Sequence, residues 1–197
     1  MPKKNSNIPN QWMPLVETFI HRNSQINLSA IREAHDIYIK HIVDSLELCT
    51  LMAFKNNSTV LDLWTWGWFP LLPLAIENPK VQFIWLDARK KKCLAIDNMT
   101  KELWISNVTT HRGRAEEATY QVDIVTSRAV TFADQLMHRS LPLIKPWGLL
   151  VLYKLFTEEE DNAILSLTRR YNLTLKKLHH YHLPHDETQR ILYILKK

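Results

Sequence analysis

Glycine is nearly missing from this chain: 3 residues in 197, where average usage of about 7% would give roughly 14. That leaves the tight turns of any fold short of the residue that reaches positive φ without steric cost. Cysteine is scarce as well. Cys49 and Cys93 are the only two, which excludes a disulfide framework and a zinc ribbon. No apolar run approaches the roughly 20 residues that a membrane-spanning helix needs. Met1-Pro2-Lys3-Lys4-Asn5 leads into no apolar signal core. These absences give the expectation of a cytoplasmic protein with no membrane contact.

What is present is ordinary but for one residue type. Hydrophobic residues make up 46% and charged residues 23%, a globular composition that excludes wholesale disorder. This length suggests one domain with a real core and a small appendage. The 25 Lys+Arg against 20 Asp+Glu leave a net charge of +5. Tryptophan is the exception. There are 7, an excess beside the glycine deficit.

Residues 1–10 read as a loose tail, and Pro14 suits the first turn of a helix over about 12–22. A longer helical region over about 31–54 places Ile39, Ile42, Val43, Leu46 and Met52 at helical spacing. From residue 59 the chain alternates. Short apolar strands over 59–63, 81–86, 107–111, 122–126 and 148–153 are separated by helical stretches over 70–77, 90–103 and 131–141. A helix over 157–170 precedes two strands, 173–182 and 190–195, whose short Pro184 loop makes them antiparallel. The pattern predicts an α/β, Rossmann-like fold. Its sheet is mostly parallel with an antiparallel last strand. Residues 1–57 form a small N-terminal helical cap, and residues 58–197 the sheet domain.

Ligands of such sheets bind at the carboxyl ends of the strands near the switch point. The first strand ends Asp62-Leu63-Trp64-Thr65-Trp66-Gly67-Trp68-Phe69-Pro70. The second ends with Asp87, placed where an acidic residue hydrogen-bonds the ribose of an adenosine-bearing cofactor. A glycine-rich turn belongs between them. Tryptophan at alternate positions of a sharp turn suits neither an exposed aromatic loop nor a core edge.

With glycine at 64, 66 and 68 the segment resembles the cofactor loop of class I S-adenosylmethionine-dependent methyltransferases. Asn27-Leu28-Ser29 and His41-Ile42-Val43-Asp44-Ser45-Leu46 narrow the likeness. So do Phe69-Pro70, Leu86-Asp87, Arg114-Ala115-Glu116-Glu117, Ser127-Arg128-Ala129, Lys145-Pro146-Trp147-Gly148, Lys154 and Gln189-Arg190. Together, over about 25–197, they resemble the RsmG (glucose-inhibited division protein B) family of 16S ribosomal RNA guanine-N7 methyltransferases. Trp64, Trp66, Trp68, Trp85, Trp104 and Trp147 stand where that family has or tolerates glycine, and Trp12 lies outside the set. One replacement chosen six times suggests a reassigned UGA codon, which some bacterial lineages read as glycine. Glycine at the six positions would bring the total to nine. Leu71 and Leu155 also replace family glycines, and codon reassignment does not explain them.

The resemblance implies methyl transfer from S-adenosylmethionine to a guanine N7, a chemistry that needs no general base and no metal. It implies cofactor contacts from Trp64, Trp66, Gly67 and Trp68, with Phe69 packed nearby. Asp87 would bind the ribose hydroxyls, Ala115 and Glu116 would flank the adenine, and Arg128 would face the cofactor or the target base. His41, Asp44 and Ser45 would fix the cap over the site. The expected partner is 16S ribosomal RNA or the small ribosomal subunit, met by a monomer. Arg128, Lys154, Lys176, Lys177 and Arg190 are the expected RNA contacts, the C-terminal basic segment carrying most of them. Arg89-Lys90-Lys91-Lys92 reads rather as a solvated face. His179, His180, His182 and His185 do not alternate as one metal-binding face. The alternatives are a non-catalytic RNA-binding relative with a blocked cofactor loop, and a same-fold methyltransferase of another substrate. A Gly-x-Gly-x-x-Gly dinucleotide loop does not fit the spacing.

Overall fold

The computed structural model describes residues 8–63, 68–128 and 133–197. Pro14 stands in the first turn of α1 (Met13–Ile26), where its missing N–H has no helical partner to lose. Leu15, Val16 and Phe19 bury the inner side of α1, which ends on Asn27 at φ 49°. The single long helix expected next is three pieces: α2 (Ala34–Ile37), a π-helical turn (Tyr38–Val43) and α3 (Asp44–Leu51). π turns concentrate at functional sites, and this one carries His41.

Seven strands follow: β1 (Thr59–Leu63), β2 (Gln82–Asp87), β3 (Val108–Arg112), β4 (Val122–Arg128), β5 (Ile144–Leu155), β6 (Thr174–Tyr181) and β7 (Arg190–Lys196). They form one sheet in the order β3-β2-β1-β4-β5-β7-β6. β1 to β5 run parallel, and β7 lies antiparallel between β5 and β6. The arrangement is the methyltransferase fold that the resemblance implies. The chain builds outward from β1 in one direction and from β4 in the other, so the switch point lies between those two strands.

The helices α4 (Leu71–Glu77), α5 (Lys90–Glu102), α6 (Ala133–Ser140) and α7 (Glu158–Arg170) cover the two faces. Successive residues of a strand point to opposite faces. Val60 accordingly joins one buried cluster and Leu61 the other. Leu15, Phe19 and Leu48 of the N-terminal helices share the cluster of Val60 and Phe83. The expected boundary at 57/58 falls between α3 and β1. Of the expected elements, β5 differs most. It begins at Ile144 rather than 148, because Ile144 pairs with Val122 before the Lys145–Gly148 turn and Leu149 pairs with Ile124 after it. Gly148 is required there, since a Cβ would meet Asp123 O at 2.7 Å.

Candidate functional site

A cleft of about 390 Å³ opens at the carboxyl ends of β1, β2 and β3. Leu63, Leu86 and Ala115 give it apolar walls, and Asp87, Lys92, Glu116 and Arg139 its charge. Asp87 ends β2 and is held on both sides. Its Oδ1 accepts the Arg89 N–H at 2.8 Å, and its Oδ2 lies 3.4 Å from Lys92 Nζ. The loop after β3 returns to the same place: Gly113 N–H donates to the Asp87 carbonyl at 3.3 Å. Ala115 is buried at the start of the Ala115–Glu117 turn. Glu116 is half-exposed, and its Oε1 sits 2.6 Å from Arg139 Nε of α6. The structure thus brings Asp87, Ala115 and Glu116 to one cleft. A ribose beside Asp87 and an adenine against Leu63, Leu86 and Ala115 fit this lining.

Trp64, Trp66 and Gly67 lie outside the described residues. Trp68 and Phe69 are fully buried. Phe69 lies against His41, ring centroids 4.7 Å apart and planes at 15°, and meets Phe19 edge-on at 5.1 Å. His41 Nε2 and Ser29 Oγ are 3.0 Å apart. Burial, then the positive charge of Arg128, pushes the His41 pKa down to about 3. The imidazole is therefore neutral. The N-terminal helices reach Phe69 through this stack.

Arg128 ends β4 and turns toward the cap. Its Nη2 donates to the Lys40 carbonyl at 2.5 Å and sits 2.8 Å from Asp44 Oδ2. Asp44, 1% exposed, also accepts from Tyr181 OH at 2.7 Å. Arg190 Nη1 is 3.8 Å away. Burial, followed by the Asp44 charge, raises the Tyr181 pKa and keeps the phenol protonated.

Three expected RNA contacts are engaged inside the fold, Arg128 with Asp44 and the Lys40 carbonyl rather than toward a cofactor or target base. Lys154 is ion-paired with Glu160, and Arg190 with Asp186 at 2.9 Å. All three side chains are largely buried, and each charge is met by a carboxylate. Lys176 and Lys177 are exposed, but they lie on β6, the far edge strand, paired at the level of the middle of β5. Arg89 lines the cleft, and Lys90 and Lys91 are exposed beside it, in a neighbouring hollow shared with residues 25–28. The first turn of α5 holds no acidic residue, so these cations stand against the positive end of the helix dipole. His179 pairs with Glu47 and stacks on Tyr181, while His180 meets Phe156.

Sequence reasoning passed over Asp62, which is fully buried in β1 and accepts from Thr126 Oγ1 at 3.1 Å. A lone carboxylate in an apolar strand was the available signal. It also passed over Arg139 as the partner of Glu116, for which no local pattern exists.

A family model described as rRNA small subunit methyltransferase G (GidB) matches residues 9–192. The chain is 31% identical over 195 residues to ribosomal RNA small subunit methyltransferase G of Lysinibacillus sphaericus, covering 95% of this chain and 82% of that one. It is 32% identical over 189 residues to the protein of the same name from Lachnoclostridium phytofermentans, covering 92% and 78%. Among solved structures, a SAM-dependent methyltransferase from Aquifex aeolicus superposes with a TM-score of 0.65 at 12% identity, over 89% of this chain and 97% of that one. At that identity the likeness shows the fold alone.

Proposed function

Because the chain belongs to the rRNA small subunit methyltransferase G family, we propose that it transfers a methyl group from S-adenosylmethionine to N7 of a guanine in 16S ribosomal RNA. The observation that supports this most directly is the Asp87 carboxylate. It is pre-oriented by the Arg89 N–H in a cleft walled by Leu63, Leu86 and Ala115, the place for an adenosine. When bound, S-adenosylmethionine supplies a methyl group on a positively charged sulfur.

The chain's own residues then position and enclose. Guanine N7 carries a free lone pair and no proton, so no side chain has to remove one. The work is alignment and exclusion of water. Asp87 holds the ribose, and Ala115 with Glu116 borders the base. The buried stack of Phe19, Phe69 and His41 fixes Phe69 against the N-terminal helices. Arg89, Lys90 and Lys91 at the head of α5, beside the cleft, neutralise RNA phosphates without reading sequence. Lys176 and Lys177 are a second, more distant basic pair.

The test uses protein purified from its own cells, S-adenosylmethionine with a labelled methyl group, and naked 16S RNA or small subunits. Strand scission at N7-methylguanine then locates the label. One labelled guanine is expected. Label on another atom would assign the fold to a different substrate, and RNA binding with no methyl transfer would make the chain a non-catalytic relative.

A further inference from the structure

Among the described residues, positive φ outside glycine occurs at Asn27, Asn57, Trp68, Trp104, Trp147, Asn172 and His185. Asparagine enters this region because its side chain bonds locally. Tryptophan has no such means, and its Cβ meets the carbonyl that makes the region unfavourable. Gly113 and Gly148, by contrast, both lie outside it.

Each of the three tryptophans holds a position whose geometry asks for glycine. Trp104 follows the end of α5 at φ 56°. Ile105 N–H donates to the Thr100 carbonyl at 2.8 Å and Trp104 N–H to the Lys101 carbonyl at 3.3 Å. That pair of bonds is the Schellman motif, whose left-handed residue is usually glycine. The same motif closes α7 with Asn172 at φ 53°, through Leu173 N–H to Thr168 O and Asn172 N–H to Arg169 O. Trp147, at φ 69°, follows Pro146, and a type II turn pairs proline with a glycine in just this order. Both rings gain little from the fold. Trp104 is 92% exposed and Trp147 77% exposed, the latter lying under the Lys196 ammonium at 4.7 Å.

The buried rings fit no better. Trp68, at φ 69°, and Trp85, within β2, are buried with Nε1 groups that find no hydrogen-bond partner. A buried indole normally finds one. Trp12 behaves differently. It is buried beside α1 at φ −96°, an ordinary core tryptophan.

We infer that Trp68, Trp85, Trp104 and Trp147, and by their spacing Trp64 and Trp66, are glycine in the protein that the source cell makes, through UGA codons which that cell reads as glycine. Trp12 is a true tryptophan with the codon UGG. The backbone evidence at 104 and 147 is independent of the proposed activity. Its consequence for a cofactor rests on that activity: with glycine at 64, 66 and 68 the segment 64–68 after β1 would carry a side chain only at Thr65, the composition that lets a backbone approach a ligand closely.

Peptide mass spectrometry of the protein isolated from its source cells decides the matter, together with the codons of its gene. Peptides covering 104 and 147 should be lighter by one indole-bearing side chain at each position, while the peptide covering 12 keeps its tryptophan. Tryptophan in the peptides at 104 or 147, or UGG at any of the six positions, overturns the inference whatever the enzyme's activity. A second measurement needs no source cells. In the tryptophan-bearing chain, Trp104→Gly should raise the melting temperature by about 2 °C or more, whereas Trp12→Gly should lower it. A fall at Trp104→Gly would show that the indole is accommodated there and would count against the inference. The proposed methyl transfer could fail with all of these results intact, and the two ideas are judged separately.

Discussion

Asp44 Oδ2 lies 2.8 Å from Nη2 of Arg128, so one buried carboxylate joins the N-terminal helices to the end of β4. Tyr181 of β6 donates to the same group at 2.7 Å, and Arg190 of β7 approaches it at 3.8 Å. Removing one partner of a buried pair leaves the other charge uncompensated, at a cost of about 3–5 kcal/mol. Asp44→Ala should lose stability on that scale in denaturant unfolding, and Asp44→Asn, which keeps the shape but not the charge, should also lose stability. A loss below about 1 kcal/mol for the alanine variant would show that solvent already balances the arginines.

The neutral His41 makes the fold sensitive to acid. Its pKa falls from 6.5 to about 3 on folding, so below pH 6.5 only the unfolded chain takes up this proton. The group's contribution is complete above pH 6.5 and is lost as pH falls, by up to about 1.4 kcal/mol per unit. His41→Asn should flatten the stability profile between pH 6 and pH 4 relative to the parent. Parallel profiles would mean that the histidine titrates freely in the fold.

Asp87→Ala should weaken S-adenosylmethionine binding ten- to a hundred-fold in calorimetry. The basis is charge-assisted hydrogen bonds of about 1.5–3 kcal/mol. The fold should persist, because the carboxylate's contacts at the head of α5 are local. An unchanged dissociation constant would remove Asp87 from the site.

RNA affinity should depend on salt chiefly through the cations at the head of α5. Changing Arg89, Lys90 and Lys91 together to Gln should flatten the slope of log affinity against log salt by roughly two to three, at about 0.7–0.9 per phosphate contact. Lys176→Gln with Lys177→Gln should change it less, and that pair should leave cofactor affinity unaltered. The opposite ranking would return RNA binding to the far edge of the sheet.

Much of this architecture is legible in the residues because strands buried on both faces read as unbroken apolar runs. Gly148–Tyr153 and Ile191–Leu195 are such runs, and Asn78-Pro79 marks where α4 stops. The π turn is not legible, since Ile39, Ile42 and Val43 keep an apolar side whether or not an extra residue is inserted. The start of β5 is hidden by Lys145-Pro146-Trp147-Gly148, which reads as a turn although pairing with β4 exists on both sides of it. At the site, Asp87 follows from its place after a strand. The Asp44, Arg128, Tyr181 and Arg190 cluster draws on segments up to 146 positions apart, and no local pattern announces such a meeting.

The place of β7 has a consequence for biosynthesis. Residues 190–196 are translated after β6, yet they sit between β5 and β6. A nascent chain that has completed β6 therefore carries two strands that cannot yet pair with their neighbour, each an open edge in the sense that invites association between chains. The arrival of β7 fills that gap in one step. It also delivers Arg190 to the Asp44 cluster, so the join between cap and sheet is completed only when the late strand docks.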